Sequence, residues 1–392
     1  MKREVYLDYA ATTPIRPEVF QAMEPYLTKE FGNPSSIHHF GKQARIVIEE
    51  AREKIAKALG AKNEEIIFTS GGTESNNMAL KGVAYALSDK GKHIITSSIE
   101  HHAILEPCHF LEKLGFEITY LPVDKEGFID PDSLRKAIRK DTILISIMHA
   151  NNEIGTIEPI EELTKIAKEY EIYFHTDAVQ TVGHIPVNVD KLGVDLLSIS
   201  AHKFYGPKGI GALYIRKGTK IHPLIHGGEQ EQRKRAGTEN VAGIVGMGKA
   251  IEISILELDN ERERLINLRD YFIKEVEKRI EEVYLNGPRE IRLPNNINFS
   301  FAYIEGESIL LNLDLEGIAV STGSACSSAS LEPSHVLSAI GLPIELAHSA
   351  VRFTLGHYTT KEDLDYTLEV LEKTVKRLRD ISPYKQGWKI KQ

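Results

Sequence analysis

Short apolar runs and helical patterns take turns along the first two thirds of this chain, and that alternation limits what it can fold into. Residues 66–70, 93–98, 116–122, 142–148, 172–177, 195–200 and 210–216 are apolar runs of strand length and read as strands. Helical patterns lie between most of them, one after Gly71-Gly72-Thr73-Glu74 as far as about 87, and others at 103–114, 131–138 and 159–170. The third of these starts with Asp130 as a helix cap and Pro131 in the first helical position. Strands and helices in this order imply an α/β fold with a mostly parallel sheet. In such sheets ligands sit at the carboxyl ends of the strands. The polar residues at those ends are therefore the first candidates for chemistry.

The pattern changes further on. Residues 243–283 read as one long helical stretch, and Glu261-Arg262-Glu263-Arg264 within it as a solvated face of paired charges. From Asn295 a strand (297–302), a helix (307–313), a loop around Cys326, a strand (351–355) and a last helix (361–379) suggest a smaller α/β domain. A chain of 392 residues accommodates two or three domains. The expected division is an N-terminal segment, 1–20, packing with the small domain; a large domain, 21–260; and a small C-terminal domain, 261–392.

Composition excludes several classes. The net charge of -8 argues against nucleic acid as a partner, which would favour a basic face. No apolar stretch approaches the ~20 residues of a membrane helix. The charged opening, Met1-Lys2-Arg3-Glu4, leads into no apolar signal core, so a cytoplasmic location is expected. Two cysteines, Cys108 and Cys326, cannot build a disulfide framework or a four-thiolate zinc site, and no metal is expected.

Six motifs draw attention. In Ser200-Ala201-His202-Lys203, a strand ends in Ser, His and Lys and enters the turn-rich Gly206-Pro207-Lys208-Gly209. A lysine there is either a solvated surface residue or a positioned amine able to condense with a carbonyl. In His175-Thr176-Asp177, a carboxylate directly follows an apolar strand and needs a partner. A pyridinium nitrogen would serve, and so would a loop cap. Ser70-Gly71-Gly72-Thr73-Glu74 joins a strand to a helix, a place where backbone amides can seat an anion. Glu100-His101-His102 could put an imidazole against a ring, or could be a satisfied loop. Asn151-Asn152-Glu153 could offer an amide to a ring hydroxyl, or form a turn. Finally, Ser321-Thr322-Gly323-Ser324-Ala325-Cys326-Ser327-Ser328 is small and polar, the composition of a mobile loop with an available thiol. Cys108, beside Pro107 in a helical pattern, reads as a bystander. Arg352, inside an apolar strand, calls for a carboxylate, either from a substrate or from a structural ion pair.

Together these residues resemble the cysteine desulfurases of the NifS/IscS type, which are pyridoxal 5'-phosphate (PLP) enzymes of fold type I. The likeness runs from Tyr6-Leu7-Asp8-Tyr9-Ala10-Ala11-Thr12-Thr13 to about Ser382. Its most specific parts are Ser-Ala-His-Lys with Gly-Pro-Lys-Gly, and Gly-Ser-Ala-Cys with Leu331-Glu332-Pro333-Ser334 after it. The resemblance implies a large PLP-binding domain and a smaller C-terminal domain. It also implies that sulfur is taken from L-cysteine onto Cys326, leaving L-alanine. Lys203 would hold PLP covalently, Asp177 would pair with the ring nitrogen, and His101 would stack on the ring. Gln180 and Asn152 would contact the ring oxygen or the substrate. Gly72, Thr73, Ser200 and His202 would bind the phosphate. Thr238 would reach the phosphate of the partner in a homodimer. Asn33 and Arg352 would hold the substrate carboxylate. The long Cys326 loop is similar to those that hand sulfur to a scaffold protein. One departure is His357, where many relatives carry Arg or Lys. A selenocysteine lyase, a class-V aminotransferase and a non-catalytic assembly protein are the rival readings. The exposed-cysteine loop counts against the aminotransferase, and the presence of both Lys203 and Cys326 against the non-catalytic protein.

Overall fold

The computed structural model of the chain describes residues 3–322 and 333–385. Its strands, in chain order, are β1 (Val5–Tyr6), β2 (Ile66–Thr69), β3 (His93–Ser97), β4 (Glu117–Leu121), β5 (Thr142–Ser146), β6 (Tyr173–Asp177), β7 (Leu196–Ser200), β8 (Gly211–Ile215), β9 (Val283–Leu285), β10 (Asn296–Phe301), β11 (Ile318–Ala319) and β12 (Ala350–Thr354). The helices of the first part are α1 (Pro17–Thr28), α2 (His39–Leu59), α3 (Gly72–Ala86), α4 (His102–Lys113), α5 (Pro131–Ala137), α6 (Ile160–Glu169), α7 (Val189–Leu192) and α8 (Val241–Leu256). Those that follow are α9 (Leu258–Arg279), α10 (Gly306–Leu315), α11 (His335–Ala339), α12 (Ile344–His348) and α13 (Lys361–Ile381).

Seven strands form the main sheet, in the order β2-β8-β7-β6-β5-β3-β4. From β4 to β7 the pairings are parallel, and β8 runs antiparallel to both of its neighbours. Every residue of β2, β3, β5, β7 and β8 is buried. That explains why these strands read as continuous apolar runs: helices cover both faces. Alternate side chains serve the two faces. Phe68, Ile95, Ile145 and Leu197 join one core with Ile55, Ile166 and Met247 from α2, α6 and α8. Ile67, Ile94, Leu144 and Leu196 join another with Val83 and Cys108 from α3 and α4.

A further core lies around the antiparallel sheet β12-β10-β9. Phe299, Phe301, Val351 and Phe353 from its strands meet Phe272, Ile309 and Leu368 from α9, α10 and α13. Val5 and Leu7 belong to this core too, because β1 pairs in parallel with β11. The stretch expected as one helix at 243–283 is two, α8 and α9, meeting at Glu257. The break has a packing reason. Ile244, Met247 and Ile251 of α8 face the main sheet, while Leu265, Phe272 and Val276 of α9 face the second core. A straight helix could not bury both stripes, and Glu257 at the junction is tied to Arg16 at 2.6 Å. Among the described residues, no helix is long and apolar enough to cross a membrane.

Candidate active site

The carboxyl ends of β6 and β7 open into a cavity of about 400 Å³. Asp177 is the last residue of β6 and is buried. One of its oxygens accepts from Asn76 Nδ2 at 2.6 Å and the other from the Val179 N–H at 2.9 Å. β7 ends at Ser200, and the chain turns through a 3-10 helix at Ala201–Lys203. Lys203 Nζ donates to the carbonyls of Ala10 at 2.5 Å and Ala11 at 2.8 Å. Gln180 Nε2 donates to the same Ala10 carbonyl at 3.0 Å. The N-terminal segment thus lies across the sheet ends and holds the lysine in place.

Gly71 and Gly72 follow β2 and begin α3. Gly71 has φ +151°, outside the range that side-chain-bearing residues favour. A Cβ on Gly72 would stand 2.8 Å from Val179 Cγ2. The first amides of α3 therefore meet the cavity beside Ser200 and His202, an arrangement suited to an anion. His202 Nδ1 lies 3.1 Å from Thr12 Oγ1. Burial, helped by the charges of Lys203 and Lys208, pushes its pKa down to about 4, so it is a neutral donor or acceptor at pH 7.

His101 caps α4, accepting from the Ala103 N–H at 3.0 Å. Burial holds its imidazole below the ordinary value; Asp177 opposes that shift, while Lys203 and His102 reinforce it. Glu100, fully buried beside it, is pushed up to about 8 by burial, against hydrogen bonds from Ser97 Oγ and the Met148 N–H. Asn152 lines the cavity and its carbonyl accepts from Arg352 Nη1 at 3.0 Å. Arg352 is 2% exposed, and its Nη2 meets Asp8 Oδ1 at 2.9 Å. Its Nε is buried with no hydrogen-bond partner among the described residues.

Gly72, Thr73, His101, Asn152, Asp177, Gln180, Ser200, His202, Lys203 and Arg352 are therefore brought together around one cavity. Asn33 and Thr238 are exposed and stand apart from its lining. Asn33 Oδ1 accepts from the Ser35 N–H at 2.9 Å. Cys326 lies outside the described residues. Cys108 is fully buried in α4, and burial raises its thiol far above the usual range, which makes it inert. His357 is 2.8 Å from Arg16 and hydrogen-bonded through its N–H to Tyr205, away from the cavity.

Sequence reasoning missed several residues of the cavity: the Ala10 and Ala11 carbonyls, Asn76, Glu153 and His335. Asn76 stands one helical turn after Gly72, and that spacing is the signal that could have found it. The donor set suits one chemistry. A lysine amine, a buried carboxylate and an anion seat surround a space fit for a phosphorylated pyridine carbonyl compound. Asn76 Oδ1, buried with no hydrogen-bond partner among the described residues, adds an unused acceptor next to the carboxylate.

Comparison with known proteins agrees with this geometry. The model of the class-V aminotransferase family matches residues 5–367. Cysteine desulfurase IscS of Dictyoglomus turgidum is 82% identical over 390 residues, which is 100% of this chain and 99% of that one. A solved NifS-like protein superposes with a TM-score of 0.91 at 43% identity, covering 96% of this chain and all of the other. SspA, solved in complex with cysteine, matches at TM-score 0.81 and 39% identity over 92% of this chain and all of that one.

Proposed function

The chain belongs to the class-V aminotransferase family and is a cysteine desulfurase, and from that premise we propose that it moves the sulfur of L-cysteine onto Cys326 using PLP held at Lys203. The convergence of Lys203, Asp177 and the α3 N-terminus on one cavity carries this reading. Bound there, PLP supplies an electron sink that acidifies the substrate Cα–H and loosens its Cβ–S bond.

The protein's own residues do the rest. Asp177, braced by Asn76 and the Val179 N–H, pairs with the ring nitrogen and keeps it protonated. The Gly72 and Thr73 amides, Ser200 and His202 seat the phosphate, and Thr238 of a second copy completes that seat in a homodimer. Gln180 and Asn152 orient the ring oxygen and the substrate. Arg352, which lines the cavity, takes the substrate carboxylate. Lys203 would hold the cofactor covalently through its amine. Its Nζ then takes the Cα proton, so it must leave the Ala10 and Ala11 carbonyls it now contacts. His101, its imidazole pKa kept below the ordinary value by burial, would stack against the cofactor and relay a proton near the substrate sulfur.

Only a thiolate is an effective nucleophile, so Cys326 reacts deprotonated. Its Sγ forms a bond to the substrate sulfur as the substrate Cβ–S bond breaks, and the electron pair stays with the carbon side. Cβ gains a proton, so L-cysteine plus the Cys326 thiol become L-alanine plus the Cys326 persulfide. The protein works in the cytoplasm, and the persulfide goes on to a scaffold protein for iron–sulfur assembly or to another sulfur acceptor.

The test is to mix the purified holoenzyme with L-cysteine and measure alanine and protein persulfide. The wild type should give both. Cys326→Ala should keep its bound cofactor and lose both products. A mutant that formed alanine and persulfide at the wild-type rate would overturn the role of Cys326.

A further inference from the structure

Glu153 has no assigned part in the reaction above, yet its place is unusual. It is 3% exposed, lines the cavity, and has its carboxylate within 2.5 Å of Ser334 Oγ. That hydroxyl donates to Glu153 Oε2 and accepts from the Val336 and Leu337 N–H groups, capping α11. A donated proton polarises the oxygen and strengthens it as an acceptor. The cap of α11 is thus bound directly to the cavity wall.

Glu153 itself is rigidly held. Its N–H donates to Asn151 Oδ1 at 2.8 Å, and its carbonyl accepts from Asn298 Nδ2 at 3.1 Å. Two residues on, Gly155 has φ +79°, and a Cβ there would stand 2.8 Å from Asn296 Oδ1. This turn therefore has little freedom to move.

The same turn reaches the other side of the segment 323–332. Asn152 O accepts from the Arg352 guanidinium, and the Arg352 backbone exchanges two hydrogen bonds with Ser321, N to O at 2.6 Å and O to N at 3.2 Å. Ser321 and Ser334, which flank the segment, are thus both tied to the turn Asn151–Gly155. Cys326 stands between them in the sequence.

We propose that Glu153 is a positioning residue, which fixes Ser334, and with it the C-terminal anchor of the Cys326-bearing segment, against the substrate cavity. The inference rests on Cys326 being the sulfur acceptor. It adds that the rate of sulfur capture depends on the Glu153–Ser334 bond, whereas earlier proton removal from the substrate does not. Burial pushes the Glu153 carboxyl up to about 7, with Ser334 and the charge of Arg352 pulling the other way. In either protonation state an oxygen remains to accept from Ser334, and a glutamine side chain offers the same acceptor.

The experiment uses the holoenzyme of Glu153→Ala, Glu153→Gln, Ser334→Ala and the Glu153→Ala/Ser334→Ala double variant. Two rates are read: Cα–deuterium exchange into L-cysteine in D2O, and Cys326 persulfide formation in a single turnover. Glu153→Ala and Ser334→Ala should each slow persulfide formation about tenfold, the scale of one lost hydrogen bond to a charged group. Exchange should stay within about twofold of wild type, since one relayed contact is lost and no proton-transfer group is touched. The double variant should be no slower than either single one, as expected for two residues acting through one bond. Glu153→Gln should restore most of the rate lost in Glu153→Ala. Equal losses in both rates, multiplying effects in the double variant, or no loss at all would overturn the proposal. Wild-type protein that makes alanine with no persulfide on Cys326 would overturn the sulfur-acceptor reading, and this inference with it.

Discussion

On one side of the cavity the groups that meet the ligand space sit at or just past the ends of strands: Asp177 closes β6, Ser200 closes β7, and the amides of Gly71-Gly72 come just after β2. On the other side the wall comes from the two ends of the chain. The Ala10 and Ala11 carbonyls lie in the N-terminal segment, and Arg352 and His335 belong to the last sixth of the sequence. The first wall is set by strands paired into the main sheet and buried almost throughout, so its side chains are placed by the strands themselves. The second is set by contacts between distant segments, above all the Arg352–Asp8 ion pair. Changes on the sheet wall should therefore alter cofactor chemistry with little effect on stability. Changes on the other wall should alter both stability and substrate binding.

The sharpest way to break that contrast is Lys203→Ala. It should lower alanine formation by about 10²–10⁴-fold, the range for a removed acid–base group, or more. Thermal melting of the apoprotein should move little, because β7, which leads into Lys203, is held by backbone pairing to β6 and β8 on both sides. Arg352→Leu comes next. Breaking a buried ion pair by removing one partner costs about 3 kcal/mol or more, with the low end apt because Asp8 is 18% exposed. It should lower the melting temperature and raise the KM for L-cysteine together. If only KM changed, the two walls would not differ in the way described.

Asn76→Ala tests the sheet wall more finely. It removes the 2.6 Å donor to Asp177, a hydrogen bond to a charged group worth about 1.5–3 kcal/mol. Cofactor should dissociate more readily, read by its loss on dialysis, while the melting temperature of the apoprotein moves less than in Arg352→Leu. The smallest effect is in pH dependence. The folded pKa of Glu100 is raised to about 8 from the ordinary 4.5. Between those values the folded state binds more protons than the unfolded one, so this group lowers stability as pH rises through that window. Glu100→Gln stays neutral throughout. Its melting temperature should gain on the wild type as pH rises from about 4.5 to 8, and a constant gap would contradict this.

The same contrast explains what the sequence disclosed. A mostly apolar run of strand length ending in Asp177, or in Ser200 ahead of Lys203, announces both the strand and the polar group it delivers. The parallel sheet and its ligand end were legible on local pattern alone. The opposite wall was not, since nothing local ties Asp8 to Arg352, 344 residues away, or Glu153 to Ser334, 181 away. Arg352 was legible as a buried cation needing an anion, but whether that anion is substrate or Asp8 is a tertiary fact. The break at Glu257 was hidden for a similar reason. Charge and apolar spacing run on through it, and only the presence of two separate cores makes two helices of the stretch.

The destination of the sulfur decides whether Cys326 is the acceptor. The measurement is peptide-resolved mass spectrometry of the holoenzyme after one turnover with L-cysteine, with thiols trapped at once. The account predicts one added sulfur on the peptide holding Cys326 and none on that holding the buried Cys108. A full yield of alanine with Cys326 unmodified, or with the sulfur on Cys108, would contradict it.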